Sequence, residues 1–242
     1  MAKIKHLVAG EFQRLTKYNL FTASFFVALI WIGLGIFLDP EEFRMFLPFV
    51  FLMEASAMTA LLVGAQMYYE KKEHTISSML ISPITSTDYI VSKILTNIIN
   101  LIIIFGVIFL SMYFLKDMTF NYLILLIAVF LVTAFYVFVG ILLSYISKDF
   151  TALLLNYMVI MIVFILPSIG VMIGLLPVEW KDYLFWFPAD VTIRLFMAST
   201  EATVDWVQYL MDSAYILVLG FIFFRFLILP RFKDYATANL GV

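Results

Sequence analysis

Six stretches of this 242-residue chain are apolar over roughly twenty residues, the length a helix needs to cross about 30 Å of hydrocarbon at about 1.5 Å per residue. They run over about Leu20 to Leu38, Phe46 to Tyr68, Ile94 to Leu115, Phe120 to Ile146, Ala152 to Leu176 and Gln208 to Leu229. Lipid offers no partner for a backbone N–H or C=O, so each run must satisfy its own backbone, which a helix does within one segment. The expected fold is an all-α integral membrane protein, a single domain over residues 1–242 with six transmembrane helices. Composition agrees, since 64% of the residues are hydrophobic and 13% charged, whereas about a quarter are charged in a soluble domain. The first run is too long, and its end too unlike a small-residue cleavage site, for a removable signal peptide. There is no cysteine, and His6 and His74 are the only histidines, which removes thiolate chemistry and leaves little for a metal centre. No cofactor is expected in the chain itself, and nucleic acid is not an expected partner.

With six spans both termini lie on one side, and the positive charges decide which. Eleven of the 15 Lys and Arg residues, among them Lys3, Arg14, Lys17, Lys71, Lys72, Lys93, Lys148, Arg225, Arg231 and Lys233, fall on the side of the termini. Only Arg44, Lys116, Lys181 and Arg194 fall opposite. The termini are therefore expected in the cytoplasm, with outer connections at Asp39 to Arg44, Lys116 to Thr119 and a longer segment over 177–207. That segment carries Trp180, Tyr183, Trp186, Phe187 and Trp206, rings that favour the membrane interface, and is read as short helices partly sunk in the outer leaflet. Residues 1–19 place Ile4, Leu7, Val8, Phe12, Leu15 and Tyr18 near one helical face, with Lys3, Glu11, Arg14 and Lys17 elsewhere, the pattern of an amphipathic helix on the membrane surface.

The segment 69–93 interrupts the apolar pattern with charges, hydroxyls and one proline. Ile76, Met79 and Leu80 keep the i, i+3, i+4 spacing of a short helix. It should end near Ser82, because Pro83 disfavours helical geometry in the residue before it and donates no backbone hydrogen bond. Thr85 and Asp88 then form the pattern of a capping box opening a new helix, which leads through Ile90 and Ile94 into the third span.

From Glu70 to Lys93 the sequence EKKEHTISSMLISPITSTDYIVSK resembles the segment between spans two and three of ABC-2 type transporter permeases. Those proteins have a glutamate, often followed by Gly-Thr-Leu, then a leucine pair, a Ser-Pro or Thr-Pro step, hydroxyls, an acid and a lysine. Glu73, Thr75, Ile76, Met79, Leu80, Ser82, Pro83, Thr85, Asp88 and Lys93 supply that order, with His74 standing where glycine is common. The outline of the remaining chain is similar as well. The resemblance implies a coupling helix within Glu70 to Leu80 that docks on an ABC ATP-binding subunit, with Glu70, Glu73, His74, Thr75, Ile76, Met79, Leu80 and Pro83 as contacts. None of the ten glycines forms the G-x-x-x-x-G-K-[ST] loop that cradles ATP phosphates, so ATP and Mg are expected on that partner and not on this chain. A second permease chain, identical or not, is implied as well. So are a prokaryotic plasma-membrane location and export of a hydrophobic or amphipathic compound such as a drug, an antimicrobial peptide or a lipid-like molecule.

Glu54 is the one acid well inside a predicted span, where a charge costs about 2.5 to 3.5 kcal/mol. It is a candidate for a transport pathway, with Asn100 and Asn156 as candidate companions. Pro167, with Gly170 and Gly174, is expected to kink span five. Two other classes compete with the exporter. An ion-coupled carrier would need more intramembrane acids or broken helices than one glutamate provides. An intramembrane protease would need paired glutamates with histidines deeper in the membrane, and Glu41-Glu42-Phe43-Arg44 falls in the predicted outer connection.

Overall fold

The computed structural model describes residues 2–79 and 82–237, and among these every regular element is a helix. A surface helix, α1 (Ala2–Lys17), precedes six long apolar helices. These are α2 (Leu20–Phe37), α3 (Pro40–Lys72), α5 (Ser86–Lys116), α6 (Tyr122–Ile146), α7 (Phe150–Met172) and α10 (Trp206–Thr237). Between them lie three short helices, α4 (Thr75–Met79), α8 (Trp180–Leu184) and α9 (Pro188–Met197). The chain is an all-α, multi-pass membrane protein.

Helices α3 and α6 form the centre, and their crossing depends on two glycines. A Cβ built on Gly140 would lie 2.6 Å from the Ala60 carbonyl oxygen and 2.8 Å from Val63 Cβ, and one on Gly64 would lie 3.3 Å from the Gly140 carbonyl oxygen. Small residues here let two backbones approach, the usual basis of close packing between helices in lipid. Towards the end of the bundle away from the termini, Phe51, Phe105, Phe109 and Phe196 pack ring against ring, with Phe51 stacked on Phe196 at 4.9 Å. Towards the terminal end a second cluster joins Val63, Met67, Ile76, Tyr89, Ile141 and Phe232. Helices α2, α7 and α10 turn most of their surface outward.

Several elements differ from expectation. The connection at Asp39 to Arg44 is already helix, because Pro40 sits at the first helical position and Asp39 forms a capping box with Glu42. Helix α10 passes Leu229, where a tail was expected, and runs on to Thr237. Ser77 Oγ donates to the Ala236 carbonyl at 3.0 Å, so this extension packs against α4. At Pro167 and Pro230 the helix takes a π-helical turn just upstream, over Met161–Ile165 and Phe223–Ile228. A proline offers no N–H to the carbonyl four residues back, and a wider turn is one way a helix continues past it. The aromatic segment 177–207 does contain short helices, but α9 buries Val191, Leu195 and Phe196 in the core instead of lying along the surface.

Candidate functional site: the junction at the terminal end

Helix α3 stops at Lys72, and His74 reverses the chain with φ of 57°. This left-handed conformation is free to glycine and costs an L-residue about 1–2 kcal/mol, although His is among the side chains enriched there. The tight backbone associated with glycine is thus kept at His74. Helix α4 follows, and beyond it the expected capping box is formed: Thr85 Oγ1 accepts from Asp88 N at 3.1 Å, and Asp88 Oδ2 accepts from Thr85 N at 3.0 Å.

Helix α1 lies across this segment and is fastened to it at three places. Near its start Lys3 Nζ donates to the Pro83 carbonyl and to Asp88 Oδ2, both at 2.6 Å. Near its end Lys17 Nζ donates to both Glu73 oxygens at 2.8 and 2.7 Å, and Tyr18 OH adds a bond to Glu73 Oε2 at 2.9 Å. The bonds from Lys17 and Tyr18 hold the Glu73 carboxyl below the ordinary value of 4.5.

The middle attachment is buried. Lys93 Nζ on α5 donates to Glu11 Oε2 on α1 and to Glu70 Oε1 on α3, each at 2.8 Å. Gln66 Nε2 bridges the same two carboxylates at 2.6 and 2.9 Å. Arg14 Nη1 donates to Glu11 Oε1 at 2.9 Å and stands 3.6 Å from Glu70 Oε1. Tyr89 OH donates to Glu70 Oε2, while the Lys93 ammonium lies 4.7 Å from the Tyr89 ring centre. Lys93 and Glu70 have no exposed side-chain surface and Glu11 has 1%, so these three charges meet away from water, while Arg14, 21% exposed, closes the group on its outer side. Burial raises the Glu11 carboxyl above 4.5, and the charge of Glu70 adds to that, against the pull of Lys93 and Arg14. Removing one member of such a group leaves an uncompensated buried charge, a loss of about 3–5 kcal/mol.

The expected contact residues separate by placement. Glu73, His74 and Pro83 are exposed, and Thr75 is half-buried. The structure moves Glu70 and Ile76 from the surface to the interior, Glu70 because its oxygens are taken by Lys93, Gln66 and Tyr89, and Ile76 because it joins the terminal-end core. Met79 closes α4, and Leu80 lies outside the described residues. The three candidate pathway residues do not share a hydrogen bond. Glu54 is buried and accepts from Trp31 Nε1 at 2.7 Å, and Asn156 donates to Ser147 Oγ at 3.1 Å. Asn100 is buried with its Oδ1 unpaired in the structure.

Sequence reasoning treats Glu11 and Arg14 as polar-face residues and omits Gln66 and Tyr89 altogether. A signal was present for Glu11, which falls between Val8 and Leu15 at i+3 and i+7 within the apolar stripe of α1. An acid in that register needs a buried base, and Lys93 was there in the motif to supply it.

The helical bundle, cross-braced at its terminal end by a buried ion group, defines a multi-pass membrane protein. Residues 11–229, which take in Glu11, Glu70 and Lys93, match the model for the ABC-2 family transporter proteins, and the chain belongs to that family. It is a permease of an ABC transporter, associated with an ABC ATP-binding subunit. No curated protein and no solved structure matches the chain significantly.

Proposed function

We propose that this chain is the membrane subunit of an ATP-driven exporter, and that the segment from Glu73 to Pro83 is where it meets the ATP-binding subunit. In this reading the termini are cytoplasmic, Mg-ATP is held and hydrolysed on the partner, and two permease chains enclose the pathway for a hydrophobic or amphipathic compound. The observation that carries the reading is the Glu11–Glu70–Lys93 junction, which ties α1, α3 and α5 together directly behind α4. A push on α4 is then passed to two spans and the surface helix as one body, and not absorbed in a loose loop. The docking surface is drawn from the exposed members of the segment, Glu73, His74, Ser78 and Pro83. Glu54, held by Trp31, is the polar group offered to cargo inside the bundle.

The test is Ser78→Arg, a bulky charge on the outer face of α4. We expect the variant to reach the membrane and keep its melting temperature, while co-purification of the ATP-binding subunit and transport-linked ATP hydrolysis fall at least tenfold. Unchanged association and hydrolysis would remove α4 from the contact.

A further inference from the structure

A cleft of about 320 Å³ opens between α6, α7 and α10, from Pro188 at the start of α9 in the middle of the bundle to the end nearer the termini. On α6 its wall runs from Phe135 to Ile146, a rise of about 16 Å along a helix, close to the roughly 15 Å of hydrocarbon in one leaflet. Apart from Tyr136 the rest of the wall is apolar, with Leu227 on α10 typical, until Arg231 closes the terminal end. Arg231 is exposed, and its guanidinium makes no ion pair or hydrogen bond among the described residues. Lys148, two residues past Ile146 and likewise exposed, adds a second cation at that level. Of the acids nearby in sequence, Asp149 is engaged in capping α7 through Ala152 N at 2.8 Å, and Asp234 is one turn further along α10 without forming a salt bridge to Arg231.

An apolar slot one leaflet deep with a free cation at its headgroup end matches the shape and charge of one molecule class. We infer that this cleft seats an anionic phospholipid of the leaflet on the side of the termini, an acyl chain along α6 and the phosphate on Arg231. The site is separate from the α4 surface proposed to meet the ATP-binding subunit, and it stands whether or not that surface is correct.

The experiment is native mass spectrometry of the purified chain in mild detergent, titrated with phosphatidylglycerol or with phosphatidylcholine of the same acyl chains. One phosphatidylglycerol is expected to be retained per chain in preference to phosphatidylcholine. Arg231→Gln should lower that preference about fivefold, the effect of one Lys or Arg near an anionic headgroup. Arg225→Gln, which removes another exposed cation of α10 that does not line the cleft, should leave it unchanged. Val139→Trp, placed in the half-buried wall, should lower retention of both lipids. Equal retention of the two lipids overturns the site, as do equal losses in the two arginine variants, which would report only general surface charge. The absence of cysteine allows one more arm: if Leu227→Cys forms disulfide-linked dimers in membranes in high yield, a second copy covers the cleft and lipid does not.

Discussion

At the terminal end Lys93 is enclosed by two carboxylates with no surface left to water, whereas at the opposite end Arg194 grips Asp212 with 26% of its side chain exposed. The chemistry is alike, since Arg194 Nε and Nη2 bind the Asp212 oxygens at 2.9 and 2.7 Å, and Gln208 supports them at 3.0 Å as Gln66 supports the other group. What differs is what each group joins. The first ties together α1, α3 and α5, elements far apart in the chain, while the second holds α9 against α10, its near neighbour in sequence. Burial makes the first costly to break, and its reach makes the break global. The second can loosen one inserted helix and leave the remaining bundle standing.

Replacing Lys93 by Met should sharpen this contrast most. It strands Glu11 and Glu70, and we expect a loss of about 3–5 kcal/mol by denaturant titration in micelles. Adding Glu11→Leu and Glu70→Leu together with Gln66→Leu and Tyr89→Phe, which remove the donors that would otherwise be orphaned, should restore most of that loss, because an apolar group in place of a buried ion cluster is often neutral or better. If Lys93→Met alone were harmless, the group would not be buried in solution. Asp212→Asn should cost less, about 1.5–3 kcal/mol for bonds to a charged group. Its effect should show as faster hydrogen exchange confined to α9, and exchange spreading to α1 would erase the distinction between the two ends.

A backbone change comes next. His74→Gly should stabilise the chain by about 1 kcal/mol, since the 57° φ is relieved and the His74 side chain makes no hydrogen bond among the described residues. The measurement is the same titration, and destabilisation would mean the side chain contributes there. The smallest effect concerns pH. Glu73 is held below its ordinary value by Lys17 and Tyr18, so its contribution is present above pH 4.5 and fades as pH falls through the lowered value. Glu11 is shifted the other way, so its contribution is present below 4.5 and fades as pH rises through the raised value. Spin labels on α1 and α4 should therefore separate on acidification at the Lys17 end, and Glu73→Gln should abolish that response. Labels that separate equally in the variant would assign the motion elsewhere.

The spans were legible because a helix in lipid needs a long apolar run, and nothing else in the chain imitates one. The Thr85–Asp88 capping box was legible because its two bonds depend on residues three apart. The burial of Glu70 and Lys93 was not, because a charge next to a membrane span looks the same in sequence whether it faces water or a partner 23 residues away. The insertion of α9 escaped for a related reason. Its Trp-rich surroundings suit the interface, and the burial of Val191 and Leu195 and the stacking of Phe196 on Phe51 show that the helix turns inward. The π-helical turns over Met161–Ile165 and Phe223–Ile228 leave no mark in hydrophobic periodicity, although each precedes a proline.

The bond between Glu11 and Lys93 spans 82 positions of chain. A ribosome adding about 5–20 residues per second takes on the order of 4–16 s to cover that distance. During that interval two spans enter the bilayer while Glu11 has only Arg14, on α1 itself, as a partner and lacks the buried base of the finished junction. The surface helix, made first, can therefore be locked only after the third span has begun to emerge with Lys93 at its head. Assembly of this face thus records that the first three spans have been threaded in order, before the remaining helices close around them.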